Sequence, residues 1–363
     1  MSESPFGSLI EDALKNNYAS VEEKEGSINV VGQANIKVVG VGGGGSNAVN
    51  WLYKKGISGA GIIAINTDKA HLEMVEADTK ILIGKSLTKG LGCGGFPCVG
   101  RESAKEQLAD IRNALKGSDM VFITAGMGGG TGTGAAPIVA AVAKENKAIV
   151  IAAVTMPFSI EKARIDKAEY GLDELRNVCD TVIIIDNNKL VKIAGNLPIQ
   201  QAFAVANELI STMIKGIVEI IAVPSLVNLD YADVKAIMAD GDVSVVGIGE
   251  SDSANRVEEA VKRALSNQLL DVSYEGATGA LIHITGGPDL TLDEVNKAGQ
   301  LLTENLDPDA NVIWGSRIDP TLKGKIRVMA IITGVTSPQI LGKKKSLDKI
   351  HQKRFSDLGV DYI

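Results

Sequence analysis

The sequence predicts an α/β protein in which a parallel sheet, covered by helices on both faces, is joined by a long helix to a smaller domain with a mixed sheet. Six short apolar runs alternate with helical stretches from Ile36 to Ile185, and this alternation is typical of a parallel sheet. A helical pattern then runs from Ile199 to Ile221 and is too apolar for a solvent-exposed helix. A second, shorter set of strands and helices follows it.

The elements of the first half come in a regular order. Residues 1–33 are polar and acidic and predict a disordered arm, with a short helix near Ser8–Asn16. Residues 34–198 form the predicted first domain. Its strands are predicted at Ile36–Val41, Gly61–Ile65, Thr79–Ile83, Met120–Thr124, Ala148–Val154 and Thr181–Ile185.

The second half begins with the connecting helix, which Pro224 ends, so residues 199–232 form a connector and a loop. The second domain is predicted over 233–337, with Thr291 and Glu294 forming a capping box. Residues 338–363 predict a flexible tail that binds a partner or is simply solvated. The domain's strands are predicted at Val243–Ile248, Gly279–Thr285, Asn311–Gly315 and Ile326–Thr333, and its helices at Ser253–Asn267 and Thr291–Asn305.

Composition excludes several classes of function. The net charge of −7 argues against a broad nucleic-acid-binding surface. No apolar run reaches transmembrane length, so no direct membrane insertion is expected. Three cysteines fit a reducing cytoplasm. Cys93 and Cys98 lie in a glycine loop without nearby histidines, so no protein-held metal site is predicted.

The segment from Gly126 to Gly134 carries the strongest functional signal. Six of its nine residues are glycine, and it joins an apolar strand to an alanine-rich helix. Such a junction aims free backbone N–H groups and the helix dipole at one point, which suits a phosphate. Thr131 and Thr133 would add hydroxyl donors. A tight turn is the structural alternative, but a turn needs only one or two glycines.

A second glycine loop follows the first strand. Gly40, Gly42 and Gly45 match the G-x-G-x-x-G pattern, with Asp68 near the end of the next strand, which by itself suggests a Rossmann-type dinucleotide site. The cradle at 126–134 favours a mononucleotide with several phosphates instead. Because the P-loop lysine motif is missing, backbone N–H groups would hold the phosphates. A third loop, Gly90–Pro97, either closes over the terminal phosphate or is a surface turn.

Two further groups of residues suggest base recognition and catalysis. Asn187 or Asn188 leaves the sixth strand with an amide that can recognise a purine edge, and Asn207 and Phe203 on the long helix could assist. In the motif Asn228–Asp233, Asp230 and Asp233 either orient a water molecule or cap a helix. The glycine loops contain no clear general base, so the catalytic group is expected to come from elsewhere.

These residues resemble a known family. Gly128–Gly134 is similar to the signature of the tubulin/FtsZ GTPases, and the segments Gly42–Asn47, Ala64–Asp68 and Asn228–Asp233 resemble the matching FtsZ segments in order and spacing. The likeness runs from Ile36 to Val335 and favours the archaeal FtsZ type over tubulin. It implies a tubulin-like Rossmann-type GTPase domain, GTP/GDP as ligand, and Mg2+ held mainly by the phosphates.

The resemblance also implies a cytoskeletal role. The protein would polymerise head to tail for cell division, in the cytoplasm at the mid-cell division site. Asn228, Asp230 and Asp233 would enter the nucleotide site of the neighbouring copy. The implied partners are other copies, a membrane-anchoring division protein that binds the tail, and an FtsZ paralogue. A non-hydrolysing nucleotide-dependent scaffold and a dinucleotide-dependent oxidoreductase remain as alternatives.

The nucleotide-binding residues follow from the same resemblance. Glu161 would contact the ribose, Arg164 the ribose or a phosphate, and Asn187 and Asn207 guanine, with Phe203 stacking. The full predicted set is Gly42, Gly43, Gly44, Gly45, Ser46, Asn47, Asn66, Asp68, Gly94, Gly95, Gly128, Gly129, Gly130, Thr131, Gly132, Thr133, Gly134, Pro157, Glu161, Arg164, Asn187, Phe203 and Asn207.

Three departures from the family pattern accompany this set. Phe96 stands where the family has asparagine, the segment Glu161–Arg164 is one residue short, and the strand exit reads Asp186–Asn188. They suggest a divergent paralogue.

Overall fold

Six parallel strands form the larger sheet, in the order β3-β2-β1-β4-β5-β6. The computed structural model describes residues 34–188, 198–222, 226, 231–238, 244–265 and 274–335. The strands are β1 Ile36–Val41, β2 Ala60–Asn66, β3 Thr79–Leu82, β4 Met120–Gly126, β5 Ile149–Met156 and β6 Thr181–Asp186. The predicted parallel sheet is confirmed.

Helices cover both faces of this sheet. On one face Val139 packs into a core with Val121 and Val150, and on the other Leu52 and Ile214 pack with Phe122. Burial on both faces explains why the strands have almost no alternation of polar and apolar residues. The helices are α1 Gly42–Lys55, α2 Lys69–Met74, α3 Pro97–Glu106, α4 Leu108–Leu115, α5 Thr131–Glu145, α6 Ala163–Val178, α7 Ile199–Ala222 and α8 Tyr231–Met238.

The smaller sheet has four strands in the order β7-β10-β8-β9 and is mixed, because β10 is antiparallel to β7 and β8 while β8 and β9 are parallel. Thr291 and Glu294 form the predicted capping box, with Glu294 N donating to Thr291 Oγ1 over 3.3 Å. The elements are β7 Ser244–Ser251, α9 Arg256–Leu265, β8 Ala277–Gly286, α10 Leu292–Thr303, β9 Leu306–Ile318 and β10 Ile326–Thr333.

The prediction for β9 was too short. The strand begins at Leu306 instead of Asn311 and runs to Ile318, even though Pro308 lies inside it. Because β9 is an edge strand, Pro308 need not donate a hydrogen bond to a partner on its outer side. A register shift between Ala277 and Gly279 accommodates the irregular segment. The helix predicted from Ser253, by contrast, begins later than expected, at Arg256.

The long helix α7 connects the two sheets through a shared core. Ile210, Ile214 and Ile217 lie in one apolar cluster with Ile183 of β6 and Met329 of β10. The described residues from Ala34 onward belong to one compact unit. The boundaries at 198 and 233 stay predictions, and the arm 1–33 and tail 338–363 lie outside the described residues. Among the described helices, none combines the length and apolar character needed to cross a membrane.

His283 predicts a pH dependence of stability. It is buried on β8, and its Nε2 has no hydrogen-bond partner among the described residues. Burial, with a smaller effect of nearby Arg317, lowers its pKa from 6.5 to about 4. As the pH falls through this range, the unfolded chain binds a proton that the folded chain does not, so the folded state loses stability.

The variant His283→Leu is therefore expected to lose less stability than the unmodified protein between pH 7 and pH 4, by up to about 3 kcal/mol. Urea unfolding at a series of pH values measures the difference. Parallel stability curves for the two proteins would contradict this assignment.

Candidate functional site

The candidate site lies at the carboxyl ends of β1 and β4, two neighbouring strands whose following connections run to opposite sides of the sheet. β1 and β4 pair in parallel, and β1 connects toward β2 on one side while β4 connects toward β5 on the other. A crevice forms at the carboxyl edge of a sheet at such a point, and ligands bind there. Both loops of the crevice are glycine-rich: α1 begins at Gly42 directly after β1, and residues 127–130 join β4 to α5.

Glycine is required where these loops touch each other. A Cβ at Gly42 would lie 2.7 Å from the backbone N of Gly132, and a Cβ at Gly132 would lie 2.5 Å from the carbonyl oxygen of Gly126. At Gly43 and Gly129, by contrast, a Cβ would meet nothing within 4 Å. The loops are thus in contact with each other at some glycines and open at others, as expected of a cradle with space for a ligand.

The amino ends of α1 and α5 lie at this cradle without side-chain caps. Neither Val41 nor Gly130 provides a capping hydrogen bond, and the first turn of each helix has no acidic residue. Uncapped helix starts leave N–H donors free and carry partial positive charge. Two of them at one edge create a site for an anion with several oxygens, such as a polyphosphate.

Thr131 and Thr133 of the cradle make hydrogen bonds within the fold. Thr133 is only 1% exposed, and its Oγ1 accepts a hydrogen bond from Gly128 N at 2.9 Å. The hydroxyls of Thr131 and Thr67 are hydrogen-bonded at 2.7 Å. Ser46 is fully buried and has no partner among the described residues. Thr131 and Thr133 therefore help to hold the loops together, and their contact with a ligand stays a prediction.

The third glycine loop lies against the cradle. A Cβ at Gly130 would come within 2.5 Å of the Cβ of Cys93 and 3.0 Å of Phe96 N. Gly92 N also donates to the carbonyl oxygen of Thr67. Gly94 and Gly95, with φ of 58° and 79°, adopt the left-handed conformation that glycine accepts without strain. Of the two alternatives for this loop, its position favours closure over a phosphate.

Sequence reasoning missed Lys167 at this loop. Its Nζ donates to the carbonyl oxygen of Gly95 at 2.7 Å and lies 5.4 Å from the ring centroid of Phe96. Phe96 itself is 59% exposed. Because Lys167 is on α6, far along the chain, no local pattern signals the contact.

His71 is a second residue that the sequence did not indicate. Its Nε2 lies 3.1 Å from Asn47 Oδ1, and its Nδ1 lies 3.2 Å from Asn66 Nδ2. Asn66 is buried and accepts from Thr67 N, while Asp68 caps α2 by accepting from His71 N. His71 thus connects exposed Asn47, at the cradle, to the end of β2. An aspartate three residues before a histidine predicts the capping hydrogen bond from His71 N to Asp68. It does not predict that the His71 ring contacts Asn47.

The residues expected to bind a base lie around the end of β6 and the start of α7. Asn188 is engaged locally, since its Oδ1 accepts from Ser159 N and its own N donates to Asp186 Oδ1, both at 2.8 Å. This favours half-buried Asn187 over Asn188 as the base-reading amide. Phe203 is 43% exposed and packs edge-to-face on Phe158, with ring centroids 6.0 Å apart. Asn207 follows Phe203 one helical turn later.

The shortened segment after Pro157 reaches the cradle through its backbone. Glu161 Oε1 accepts from Phe158 N at 3.0 Å, and its other oxygen pairs with Arg164. A Cβ at Gly128 would lie 2.7 Å from the carbonyl oxygen of Arg164. The predicted contacts of Glu161 and Arg164 with a sugar or phosphate stay predictions.

Asp233 lies at the opposite edge of the sheet. It is in the first turn of α8, and Tyr231, two residues before it, donates its hydroxyl to the carbonyl oxygen of Asp119 at 2.8 Å. Burial raises the pKa of the Tyr231 hydroxyl, and the charges of Asp119 and Asp180 raise it further, so it remains a donor. Asp119 precedes β4, whose far end carries the cradle. Asn228 and Asp230 lie outside the described residues.

The described ranges contain no group of three or more histidine, cysteine, aspartate or glutamate side chains that could hold a metal ion.

A parallel sheet with a polyphosphate cradle of backbone amides at its switch point, without a P-loop lysine, defines a nucleotide-binding protein of the tubulin-like GTPase class. The profile of the Tubulin/FtsZ family, GTPase domain, matches residues 35–195, and that of the FtsZ family, C-terminal domain, matches residues 242–336. The chain belongs to the FtsZ family.

Similar proteins agree with this assignment. Cell division protein FtsZ 2 of Methanocaldococcus jannaschii is 55% identical over 367 residues, covering 98% of this chain and 96% of that protein. Cell division protein FtsZ 2 of Haloferax volcanii is 51% identical, covering 94% and 85%. The solved structure described as "FtsZ dimer, empty (M. jannaschii)" superimposes with a TM-score of 0.79 at 43% identity and covers 95% of this chain and 99% of that one.

The protein is therefore an FtsZ-family cell division protein with a tubulin-like GTPase domain, which binds GTP and GDP and hydrolyses GTP. The dinucleotide-dependent oxidoreductase and the non-hydrolysing scaffold are not favoured.

Proposed function

We propose that the protein polymerises head to tail and hydrolyses GTP between two copies, one supplying the cradle and the next supplying Asp233 with Asn228 and Asp230. One observation carries the proposal: within a single chain, the first turn of α8, which contains Asp233, is attached to the start of β4, whereas the cradle follows the end of that strand. Tyr231 is bonded to Asp119 at the start of β4, and the cradle follows Gly126 at its end. Seven residue steps of extended strand separate these points by about 23 Å.

The chemistry follows from this arrangement. Free N–H groups at the starts of α1 and α5 hold the phosphates and stabilise the charge that develops on them during hydrolysis. Asp233 of the adjoining copy orients the attacking water as an acceptor for its proton. A divalent cation such as Mg2+, held mainly by the phosphates, would supply further charge neutralisation.

Base selection is assigned to the other end of the crevice. An amide both donates and accepts, so Asn187 and Asn207 can match the edge of guanine, while the exposed face of Phe203 can stack on it. Glu161 is assigned to the ribose and Arg164 to the ribose or a phosphate.

Complementation between two inactive variants tests the shared site. Asp233→Asn keeps the cradle but loses the carboxylate. Gly129→Val keeps Asp233 but projects a side chain into the open space of the cradle, where its Cβ meets nothing within 4 Å. Mixed in equal amounts, the two should regain GTPase activity, because about a quarter of randomly formed head-to-tail interfaces join an intact cradle to an intact Asp233.

Circular dichroism and thermal unfolding confirm that each variant is folded before mixing. A mixture as inactive as its components would contradict catalysis between copies, as would turnover per chain that is independent of protein concentration.

Partner binding and location are further parts of the proposal. Residues 338–363 contain Lys343, Lys344 and Lys345 and an apolar end at Leu358–Ile363, a combination suited to a membrane-anchoring division protein. This segment lies outside the described residues, so only its sequence supports the assignment. Recruitment through it would bring the filaments to the mid-cell division site, together with an FtsZ paralogue.

A further inference from the structure

Lys167 makes two different contacts with one short loop. Its ammonium group donates to the carbonyl oxygen of Gly95 at 2.7 Å and lies 5.4 Å from the ring centroid of Phe96. The first is a charge-assisted hydrogen bond and the second a cation–π contact. Lys167 as a whole is half-buried.

The loop that Lys167 contacts touches the phosphate cradle directly. Cys93 and Phe96 lie against Gly130, and the sulfur of Cys93 is 3.4 Å from the hydroxyl oxygens of both Thr67 and Thr131. A movement of the loop therefore changes the wall of the cradle next to the start of α5.

The helix that carries Lys167 is well anchored. A Cβ at Gly171 would lie 2.4 Å from the side chain of Thr133, so α6 packs closely on the first turn of α5. Arg101 of α3 donates to Tyr170 at 2.6 Å and to Glu174 at 2.7 Å, both on α6. The ammonium group of Lys167 is thus presented from a rigid support that is also attached to the cradle helix.

The loop itself needs such support. Gly92, Gly94 and Gly95 all have positive φ, and glycine loses the most conformational freedom when it is ordered. Phe96 cannot offer a side-chain hydrogen bond to a phosphate, but its ring gives Lys167 a surface to rest on. In place of a side-chain hydrogen bond to a phosphate, Phe96 thus provides a packing surface for Lys167.

We propose that Lys167 is a positioning residue that holds the Gly92–Phe96 loop against the phosphate cradle and so sets the preference for nucleoside triphosphate over diphosphate. The inference rests on the proposed function, because the loop meets a terminal phosphate only if the cradle holds GTP. If this loop closes over the terminal phosphate, as its sequence predicts, it meets a group that GDP lacks, so loss of the Lys167 contacts weakens GTP binding and spares GDP binding.

The test compares affinities for GTPγS and GDP, measured at protein concentrations below assembly. Lys167→Met is expected to bind GTPγS about tenfold more weakly and GDP within about twofold of the unmodified protein, the size of one lost charge-assisted contact. Lys167→Arg, which can still donate to Gly95 and stack on Phe96, should restore most of the difference. Lys116→Met removes the same charge from an exposed site near the opposite edge of the sheet and should change neither affinity.

A second variant keeps the test independent of the first. Phe96→Leu removes the ring but not the lysine, and it should weaken GTPγS binding selectively and by less than Lys167→Met. Equal weakening of GTPγS and GDP by Lys167→Met, or no change in either, overturns the role of Lys167. Failure of the unmodified protein to bind GTP would instead overturn the proposed function.

Discussion

Replacement of Asp233 by asparagine is expected to lower GTP turnover by about two to four orders of magnitude while leaving GTP affinity within about twofold. Asparagine keeps the size of the side chain but cannot take a proton from a water molecule. Affinity should be preserved because Asp233 follows Tyr231 by two residues, and Tyr231 is hydrogen-bonded to Asp119 at the far end of β4 from the cradle of its own chain.

Phosphate release at saturating GTP, above the assembly concentration, measures turnover, and nucleotide titration of dilute protein measures affinity. Asp252→Asn provides a matched control. Asp252 is also an acid, lies on the surface of the smaller domain, and forms only a weak ion pair with Lys325, over 4.0 Å. Its turnover should equal that of the unmodified protein. A parallel fall of affinity and turnover in Asp233→Asn would mean that this residue belongs to the fold or to its own chain's pocket.

The substitution Gly132→Ala is expected to lower the affinity for GTP and GDP alike by about tenfold to a hundredfold, the effect of losing one backbone hydrogen bond to a charged phosphate. The new Cβ would lie 2.5 Å from the carbonyl oxygen of Gly126, a backbone atom that cannot rotate away. Relief requires α5 to move away from β4, which displaces the N–H groups of its first turn. We also expect the free energy of unfolding to fall by about 1–3 kcal/mol, as in other overpacked sites.

Gly299→Ala in α10 is the matched control. A Cβ there would meet nothing within 4 Å, so the change should stabilise the helix by about 0.5–1 kcal/mol and leave nucleotide binding unaltered. Isothermal titration and urea unfolding of both variants measure the two effects. Gly132→Ala with GTP affinity within a fewfold of normal would show that the cradle tolerates the displacement, or that phosphates bind elsewhere.

The sequence predicted the parts of this protein that depend on local patterns. Buried parallel strands are continuous apolar runs, so β1 and β4 could be located closely, and a cluster of glycines between a strand and a helix indicated the cradle. The contacts of His71, Lys167 and Tyr231 join residues 24 to 112 positions apart. No periodicity encodes such contacts, because they depend on how the elements pack.

Other features fail to show in the sequence for a related reason. A threonine in a glycine loop has the same hydroxyl whatever it contacts, so the hydrogen bond that Thr133 Oγ1 accepts from Gly128 N could not be predicted. The length of β9 depends on its place at the sheet edge, where a proline is tolerated. In both cases the neighbours in space, not the neighbours in sequence, decide the outcome.

The separation of Asp233 from the cradle along β4 gives any linear assembly two chemically unequal ends. In the proposed assembly every junction between copies completes one reaction centre, so an array would have one centre fewer than it has molecules. The terminal molecule with an open cradle keeps its GTP intact until another copy arrives and becomes the new terminus. Hydrolysis of the GTP at that end would thus depend on the addition of the next copy.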